Sequence, residues 1–512
     1  MAATGMTPEE VWQRLRRNWG FDCAQPPEDR ERTDWFEIVA MRRAQLETYA
    51  TAYWSGQSGA ASKAELIVLV ADAEPMVFLA GFWAGVLAGW TVALANPNWA
   101  NQEWQATHHL ITPQIIWSTS TPPIPLTPLI PPTPHSPPFH STELTPKPTP
   151  RILIPTGGTS GQLKFAHHTW TTLTTAATGF QRHFQSHSRS STPINAYCVL
   201  PLYHVSGLMQ ALRVWLTHGQ LIILPFKTLL SPIPSWRLSG VEAHTFLSLV
   251  PTQLSRLITA KKSPWLRQFH AILLGGAPSW PDLLDQAVEQ KLPICLTYGM
   301  TETGAMVSAM QPQDFVQSFS QGKLSSGRPM PHAAIRIEHQ GKPLPVGEIG
   351  QIVVTSGAIA RGYHNATSPN FTPSFKGQTL YTDDLGYLDD DGRLHITGRA
   401  SSKIISGGEN IFPDEVETAL RSTGQVLSVC VVGRPDTDWG EVVTAAYVPA
   451  HLEVSIDSLK AALDSKGQLS RYKYPKRWFA LDSLPENAQG KVNRPRLQTL
   501  LDQLSSQSGS YR

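Results

Sequence analysis

The chain has 512 residues, of which 41% are hydrophobic and 16% charged, and its formal net charge is +2. That length predicts roughly three domain-sized units, and the composition excludes an intrinsically disordered chain. A near-neutral balance offers no global attraction to nucleic acid or to an anionic membrane, so neither is expected as a partner.

The four cysteines, Cys23, Cys198, Cys295 and Cys430, lie far apart and make neither a CxxC pair nor a zinc spacing. This pattern fits the reducing cytoplasm and leaves other compartments open. Met1 to Arg17 has no long apolar core, so no secretory signal is expected.

Residues 1–60 are mixed and mostly helical in pattern. Leu66–Ala71 reads as a strand. From Pro75 to Asn101 there is no charge, and Gly81, Gly85 and Gly89 form overlapping GxxxG patterns. Such a run is either a dimerising membrane span or a buried helix begun by Pro75 and followed by a buried strand, Thr91–Ala95. No basic cluster flanks it to set an orientation, and the β-α-β reading is preferred; no transmembrane span is expected. Ser118 to Pro150 is crowded with Pro and Thr and reads as a semi-rigid surface segment rather than a docking ligand.

Beyond Arg151, Ile152–Ile154, Ile194–Leu200, Leu221–Leu224, Thr245–Leu249 and Ala271–Leu274 read as buried strands separated by helix-length segments. This alternation predicts parallel sheets with covering helices. Shorter, turn-rich strands follow at Ala334–Ile337 and Glu348–Thr355, and a hairpin-like run ends at Arg399. From about Ser401 a last unit carries helices near Pro413–Arg421 and Ile456–Ser465 and strands near Val426–Val432 and Val442–Val448.

Five segments carry chemistry. Ile154 to Lys164 leads from a strand into Thr156, Gly157, Gly158, Thr159, Ser160 and Gly161 and then to Lys164. Glycines let backbone N–H groups turn toward an anion, hydroxyls add donors, and the lysine adds a point charge. The spacing is not that of a Walker A loop, a dinucleotide fingerprint or a serine-hydrolase elbow, and a plain Gly/Thr turn is the alternative. In the second segment the strand Ile294–Thr297 delivers Tyr298, Gly299, Thr301 and Glu302; the ring can stack on a base and the carboxylate can hold Mg²⁺ beside phosphates. The third contains Asp383, Asp384 and Arg399, where a carboxylate at a strand end can accept ribose hydroxyls or can simply cap a solvated turn. The fourth is Ser406-Gly407-Gly408-Glu409, and the fifth sets Lys491 after Gly490 near the C-terminus.

In this order the five segments resemble the acyl-adenylate-forming (AMP-binding) superfamily, from about Glu65 to Arg494. The resemblance implies an α/β fold: a large N-terminal domain, residues 1–399, of two parallel-type α/β subdomains plus a distorted β-barrel, and a small mobile α+β C-terminal domain, residues 400–512. It implies ATP, Mg²⁺ and coenzyme A as reactants. Thr156 through Lys164 would grip the ATP phosphates, Gly275, Gly276 and Ala277 would flank adenine, and Tyr298 beside Gly299 would stack on it. Thr301 and Glu302 would meet phosphate and metal, with Thr159 a second metal contact. Asp384 would take the ribose, Arg399 would stand beside it, and Lys491 would bridge the acyl carboxylate and the α-phosphate. The stretch Ser406, Gly407, Gly408, Glu409 would serve thioester formation after rotation about Ser401.

Three departures stand out: Asp383 replaces a common Gly, so either aspartate can be the ribose ligand; Ser401 replaces a common Asp or Lys; and Gly158 replaces a frequent Ser. Within the superfamily, Pro201-Leu202-Tyr203-His204-Val205-Ser206-Gly207, Arg213 and Ser248 to Leu254 look like the o-succinylbenzoate–CoA ligases. That resemblance puts His204 and Ser206 at the acyl pocket and pairs Arg213 with a carboxylate that is not activated. Other aryl- or acyl-CoA ligases, an adenylation enzyme loading a carrier protein, and a silent nucleotide-binding scaffold are the alternatives. The sequence is compatible with a homo-oligomer.

Overall fold

The computed structural model describes all residues apart from 1–5, 18–20, 24–38, 42, 45, 48–65, 119–149, 158–162, 186–191, 232–243, 365–373, 408, 468, 487–491 and 508–512. The Pro/Thr-rich segment therefore lies almost wholly outside the described residues, as do Gly158, Thr159, Ser160, Gly161, Gly408 and Lys491.

The uncharged run folds as a buried helix and strand. Pro75 occupies the first turn of the helix Pro75–Ala88, and the Glu74 carboxylate accepts from the N–H groups of Met76 and Val77. The helix ends where Gly89 takes a left-handed conformation, φ 78°, open to glycine at little cost. It is apolar all round because it is covered all round. On one side it lies against the strands Ile67–Val70 and Thr91–Leu94. On the other, the Trp83 ring meets those of Trp12, Trp170 and Trp215, with centroids 5.5, 5.6 and 5.1 Å away. The glycines serve the sheet: a Cβ on Gly85 would stand 2.6 Å from Val92 Cγ2 and 2.8 Å from Val68 Cγ1. Among the described residues no helix is long and apolar enough to cross a membrane.

The first sheet takes, in spatial order, Ile115–Trp117, Ile67–Val70, Thr91–Leu94 and Arg151–Gly157 in parallel, then Leu163–Thr169 antiparallel. The second takes Phe21–Cys23, Leu221–Ile223, Asn195–Cys198, Thr245–Leu249, Ala271–Leu274 and Ile294–Met300 in parallel, closed by the antiparallel strands Ala305–Ala309 and Arg328–Pro329. The expected strands recur within a few residues. Within the first 60 residues, read as mixed and mostly helical, Phe21–Cys23 is an unforeseen strand: three residues are too few to show a period, and only pairing with Leu221–Ile223 makes them a strand.

A third, antiparallel sheet runs Lys342–Pro343, Ala333–His339, Gly350–Ser356, Thr379–Leu388 and Ser374–Lys376, with Leu394–Arg399 beside Thr379–Leu388. It stands where a distorted barrel is expected, and its register shifts at Gln351/Val353 and at Leu385/Gly386 are bulges of the kind that bend a sheet. After Arg399 a fourth sheet combines Ile404–Ser406, Glu409–Ile411, Val426–Asp436, Gly440–Pro449 and Arg477–Ala480 with the helices Pro413–Ser422 and Ile456–Lys466. The expected α/β class, with an α+β unit last, is what is observed.

Cys198, Cys295 and Cys430 are buried and unbridged. Burial pushes the Cys198 and Cys430 thiols up to about 12, so neither is a reactive thiolate near neutral pH.

Gly85→Ala should destabilise the protein by about 1–2 kcal/mol net, because the clash with two β-branched side chains exceeds the helix propensity that alanine returns. Urea titration checks this; an unchanged or raised midpoint would mean that the glycine does not face the sheet.

Candidate active site

The site is assembled where the first two sheets and the bulged sheet meet. The strand Arg151–Gly157 enters the glycine-threonine loop and Leu163–Thr169 returns from it, with Thr156 paired opposite Lys164. Lys164 is buried; burial lowers its pKa, and the Glu302 charge works in the opposite direction.

The strand Ile294–Met300 ends in a single tight turn, Thr301–Thr303, closed by Gly304 in the left-handed region at φ 64°. Glu302 in that turn is buried. Three contacts fix it. His168 Nε2 lies 2.8 Å from the Thr301 carbonyl oxygen and donates to it. Ala360 N–H donates to Glu302 O at 2.8 Å. The Tyr363 hydroxyl donates to Glu302 Oε1 at 2.6 Å. His168 is itself oriented by Thr172 Oγ1, 3.0 Å from Nδ1, and burial holds its pKa down to about 4. The ring is therefore neutral at pH 7, with its one proton on Nε2.

A second cluster begins three residues before the turn. Tyr298 Oη donates to Asp384 Oδ2 at 2.8 Å, and Arg399 Nε donates to Asp384 Oδ1 at 2.9 Å. Burial first, and the Asp384 carboxylate second, push the Tyr298 phenol well above its ordinary value, so it remains a donor. Of the two adjacent aspartates, Asp384 faces Tyr298 and Arg399. Asp383 faces the other way and accepts from the backbone N–H of Ser401 at 3.1 Å and from its hydroxyl. Beside Tyr298 the backbone of Gly275, Gly276 and Ala277 is half-buried to exposed. A Cβ on Gly275 would stand 2.4 Å from Thr297 Oγ1, and one on Gly299 2.0 Å from Ala305 O, so both close approaches need glycine.

Not every expected residue gathers here. Half-buried His204 precedes the helix Val205–Thr217, and Ser206 is exposed at its start. Arg213 lies inside the helix, nine residues beyond His204, whose own backbone is extended. Arg213 is buried, with its guanidinium 4.1 Å from the Phe180 ring centroid. It shares a helix face with Ser206 and Gln210, seven and three residues before it. Arg213 Nε, Gln210 Oε1 and both ring nitrogens of His332 have no hydrogen-bond partner, and no carboxylate pairs with Arg213 among the described residues. Burial lowers the Arg213 pKa to about 9. Ser406 and Glu409 pair across the hairpin turn that holds Gly407, φ 58°.

Sequence reasoning missed Tyr363, His168, Gln210 and His332. His168 stands on the return strand four residues after Lys164, which is a usable signal. Tyr363 reaches the site only through the pairing of a segment 200 residues away.

The sequence profile of the AMP-binding enzyme family matches residues 57–364, and that of the AMP-binding enzyme C-terminal domain matches 415–491. The chain belongs to the AMP-binding enzyme family. Among its curated relatives in that family, the 2-succinylbenzoate–CoA ligase of Bacillus velezensis is 34% identical over 68% of this chain and 68% of its own. That of Bacillus subtilis is 37% identical over 58% of this chain and 59% of its own. The Bacillus subtilis o-succinylbenzoate CoA synthetase in complex with its acyl-adenylate intermediate superposes with a TM-score of 0.74 at 25% identity, over 95% of this chain and 97% of that one. The same protein with ATP and magnesium ion gives 0.73 at 25% identity, over 95% and 98%. In this AMP-binding enzyme, Tyr298 with Asp384 and Arg399, and Glu302 with Lys164 nearby, are grouped around the strand Ile294–Met300 and the turn that follows it.

His168 carries a pH prediction. Its pKa is about 4 in the fold and 6.5 otherwise. Between those values the unfolded chain binds a proton that the folded one does not, so stability falls as pH drops from about 6.5 to 4, by about 3 kcal/mol in full. His168→Gln, which keeps a donor for the Thr301 carbonyl, should flatten that part of the slope. Urea midpoints at pH 7 and pH 5 measure it, and an unaltered slope would show that His168 does not titrate this way.

Proposed function

We infer that this chain ligates a carboxylic acid to coenzyme A at the expense of ATP, through an acyl-adenylate, and that the acid is o-succinylbenzoate. In the first step the acid carboxylate attacks the α-phosphorus, forming one P–O bond while the bond to pyrophosphate breaks. In the second the thiol attacks the acyl carbonyl, the C–S bond forms as the sulfur gives up its proton to solvent, and AMP leaves with the C–O electron pair. The carboxylate is already ionised at pH 7, so the first step needs no side-chain base. The observation that carries the reading is the convergence of Lys164, Glu302 and the Tyr298–Asp384–Arg399 chain, drawn from three separate sheets, on one site.

The residues divide the work by charge. Lys164 and the loop before it meet phosphate oxygens. Asp384, its two oxygens already oriented by Tyr298 and Arg399, accepts the ribose hydroxyls. Backbone at Gly275 to Ala277 lies open beside the adenine position, with Tyr298 on its other side. Among the described residues no group of three or more His, Cys, Asp or Glu gathers as a metal site. A lone buried carboxylate, Glu302, suits Mg²⁺ that arrives with substrate phosphates; Thr159 is the other residue we assign to it. When bound, Mg²⁺ neutralises charge on the triphosphate. Lys491 supplies the cation between acid and α-phosphate. The unit beyond Arg399 turns about Ser401 to exchange Lys491 for the stretch Ser406, Gly407, Gly408, Glu409 between steps. The use of ATP and coenzyme A supports a cytoplasmic location.

The identity of the acid is supported by the relatives and by the row Ser206, Gln210, Arg213. A buried guanidinium without a carboxylate is costly alone, and a second carboxylate on the substrate relieves that cost. His204 lines the pocket at the mouth of the same helix.

ATP–pyrophosphate exchange should be strong with o-succinylbenzoate and weak with benzoate or fatty acids. Thioester should form when coenzyme A is added; exchange with none of the acids would sink the proposal. Lys491→Ala should slow exchange by about 10²–10³-fold yet leave thioester formation from supplied acyl-adenylate nearly intact. Equal losses in both steps would refute that role. Arg213→Met should raise KM for o-succinylbenzoate about 100-fold without lowering the urea midpoint, because an uncompensated buried charge is removed.

A further inference from the structure

One side chain in the site has no place in the reaction just described. Tyr363 belongs to Arg361–His364, a segment that runs beside the return strand of the glycine-threonine loop. Arg361 N–H donates to His167 O at 2.7 Å, His167 N–H to Gly362 O at 2.8 Å, and His364 N–H to Phe165 O at 2.9 Å. Those bonds bracket Tyr363 and fix its backbone to the limb that carries Lys164. Its hydroxyl donates to Glu302 Oε1 at 2.6 Å. The face of its ring receives Lys164 Nζ, 5.2 Å from the centroid, and the Phe375 ring packs on it with centroids 5.3 Å apart at 82°.

We propose that Tyr363 is a positioning residue for the metal–nucleotide site: it holds the Glu302 carboxylate in one orientation and seats the Lys164 ammonium on its ring. This rests on the assignment of Glu302 to Mg²⁺. One strong hydrogen bond on Oε1 fixes the rotation of the carboxylate and leaves lone pairs of Oε2 for a metal. The ring gives the ammonium an electrostatic seat of its own. In a dry site two opposite charges on neighbouring strands otherwise gain by pairing directly, and such a pair has to break before a metal and a triphosphate can enter. One phenol thus keeps two opposite charges apart and ready. Neither partner's position depends on the other, since each is held by a different part of the ring.

The test uses the full-length protein and reads binding, not turnover. Tyr363→Phe keeps the ring, its packing and the ammonium seat, and removes only the hydroxyl. Mn²⁺ binding is followed by the EPR signal of the free ion, with and without a non-hydrolysable ATP analogue. With the analogue present, Mn²⁺ affinity should fall about tenfold in Tyr363→Phe, while affinity for the analogue without metal changes less than about twofold. Tyr363→Leu should weaken metal-free analogue binding as well, because the seat for Lys164 is lost. Wild-type Mn²⁺ affinity in Tyr363→Phe overturns the proposal. So does an equal loss of metal-free nucleotide binding, which marks a general disturbance of the fold. If the wild-type protein binds no Mn²⁺ with the analogue, the assignment of Glu302 fails instead.

Discussion

The structure depends on keeping one carboxylate, Glu302, buried and correctly turned, with no ion pair to it among the described residues. Burying a charge is expensive unless hydrogen bonds replace the lost water. The protein meets this with neutral donors aimed at a three-residue turn. The Tyr363 hydroxyl reaches the side chain, the His168 ring holds the carbonyl of the preceding residue, and Ala360 N–H takes the carbonyl of Glu302 itself. Neutral donors leave the negative charge available to an incoming cation, whereas an arginine in the same place would compete for it.

The rest of the architecture serves that turn. A parallel sheet delivers strand ends to one edge, where ligands of α/β folds are bound. The strand Ile294–Met300 brings Tyr298 and Glu302 there on opposite sides of Gly299. Neighbouring chains approach closely only because Gly275 and Gly299 have no Cβ to collide with Thr297 and Ala305. The tryptophan contacts around Trp83 fasten the first sheet's helix to the helices Trp170–Gln185 and Val205–Thr217. Two sheets that each contribute part of the site are thereby held as one body.

Much of this is legible in the sequence, for physical reasons. Strands such as Thr245–Leu249 and Ala271–Leu274 are buried on both faces, and their continuous apolar runs match their observed bounds. Tyr298, Glu302, Asp384 and Lys164 stand in short segments whose spacing is set by local turns, so their grouping survives reading one segment at a time. Phe21–Cys23 escapes because its pairing is with residues 200 positions away. Tyr363 escapes for the same reason: an Arg-Gly-Tyr-His segment has no chemistry of its own until long-range strand pairing sets it beside Lys164. Arg213 is legible as a cation expected to meet an anion, but its burial against Phe180 comes from packing between two helices that the sequence does not display.

The pair Asp383–Asp384 ties the two halves of the chain together through strand geometry alone. Successive residues of a strand point to opposite faces, so one carboxylate cannot do both tasks and neither can be displaced without a change of register. Asp384 turns inward to Tyr298 and Arg399, the position that we propose for the nucleotide's sugar. Asp383 turns outward and binds the backbone N–H and hydroxyl of Ser401, while its own carbonyl accepts from Ala400 N–H at 2.8 Å. Arg399 and Ser401 flank the same short connection, one bonded to each aspartate. Any rotation of the segment beyond Ser401 must break the Asp383 contacts, yet it can leave Asp384 and its partners in place. Asp383 therefore latches the connection without drawing on the contacts of the carboxylate beside it.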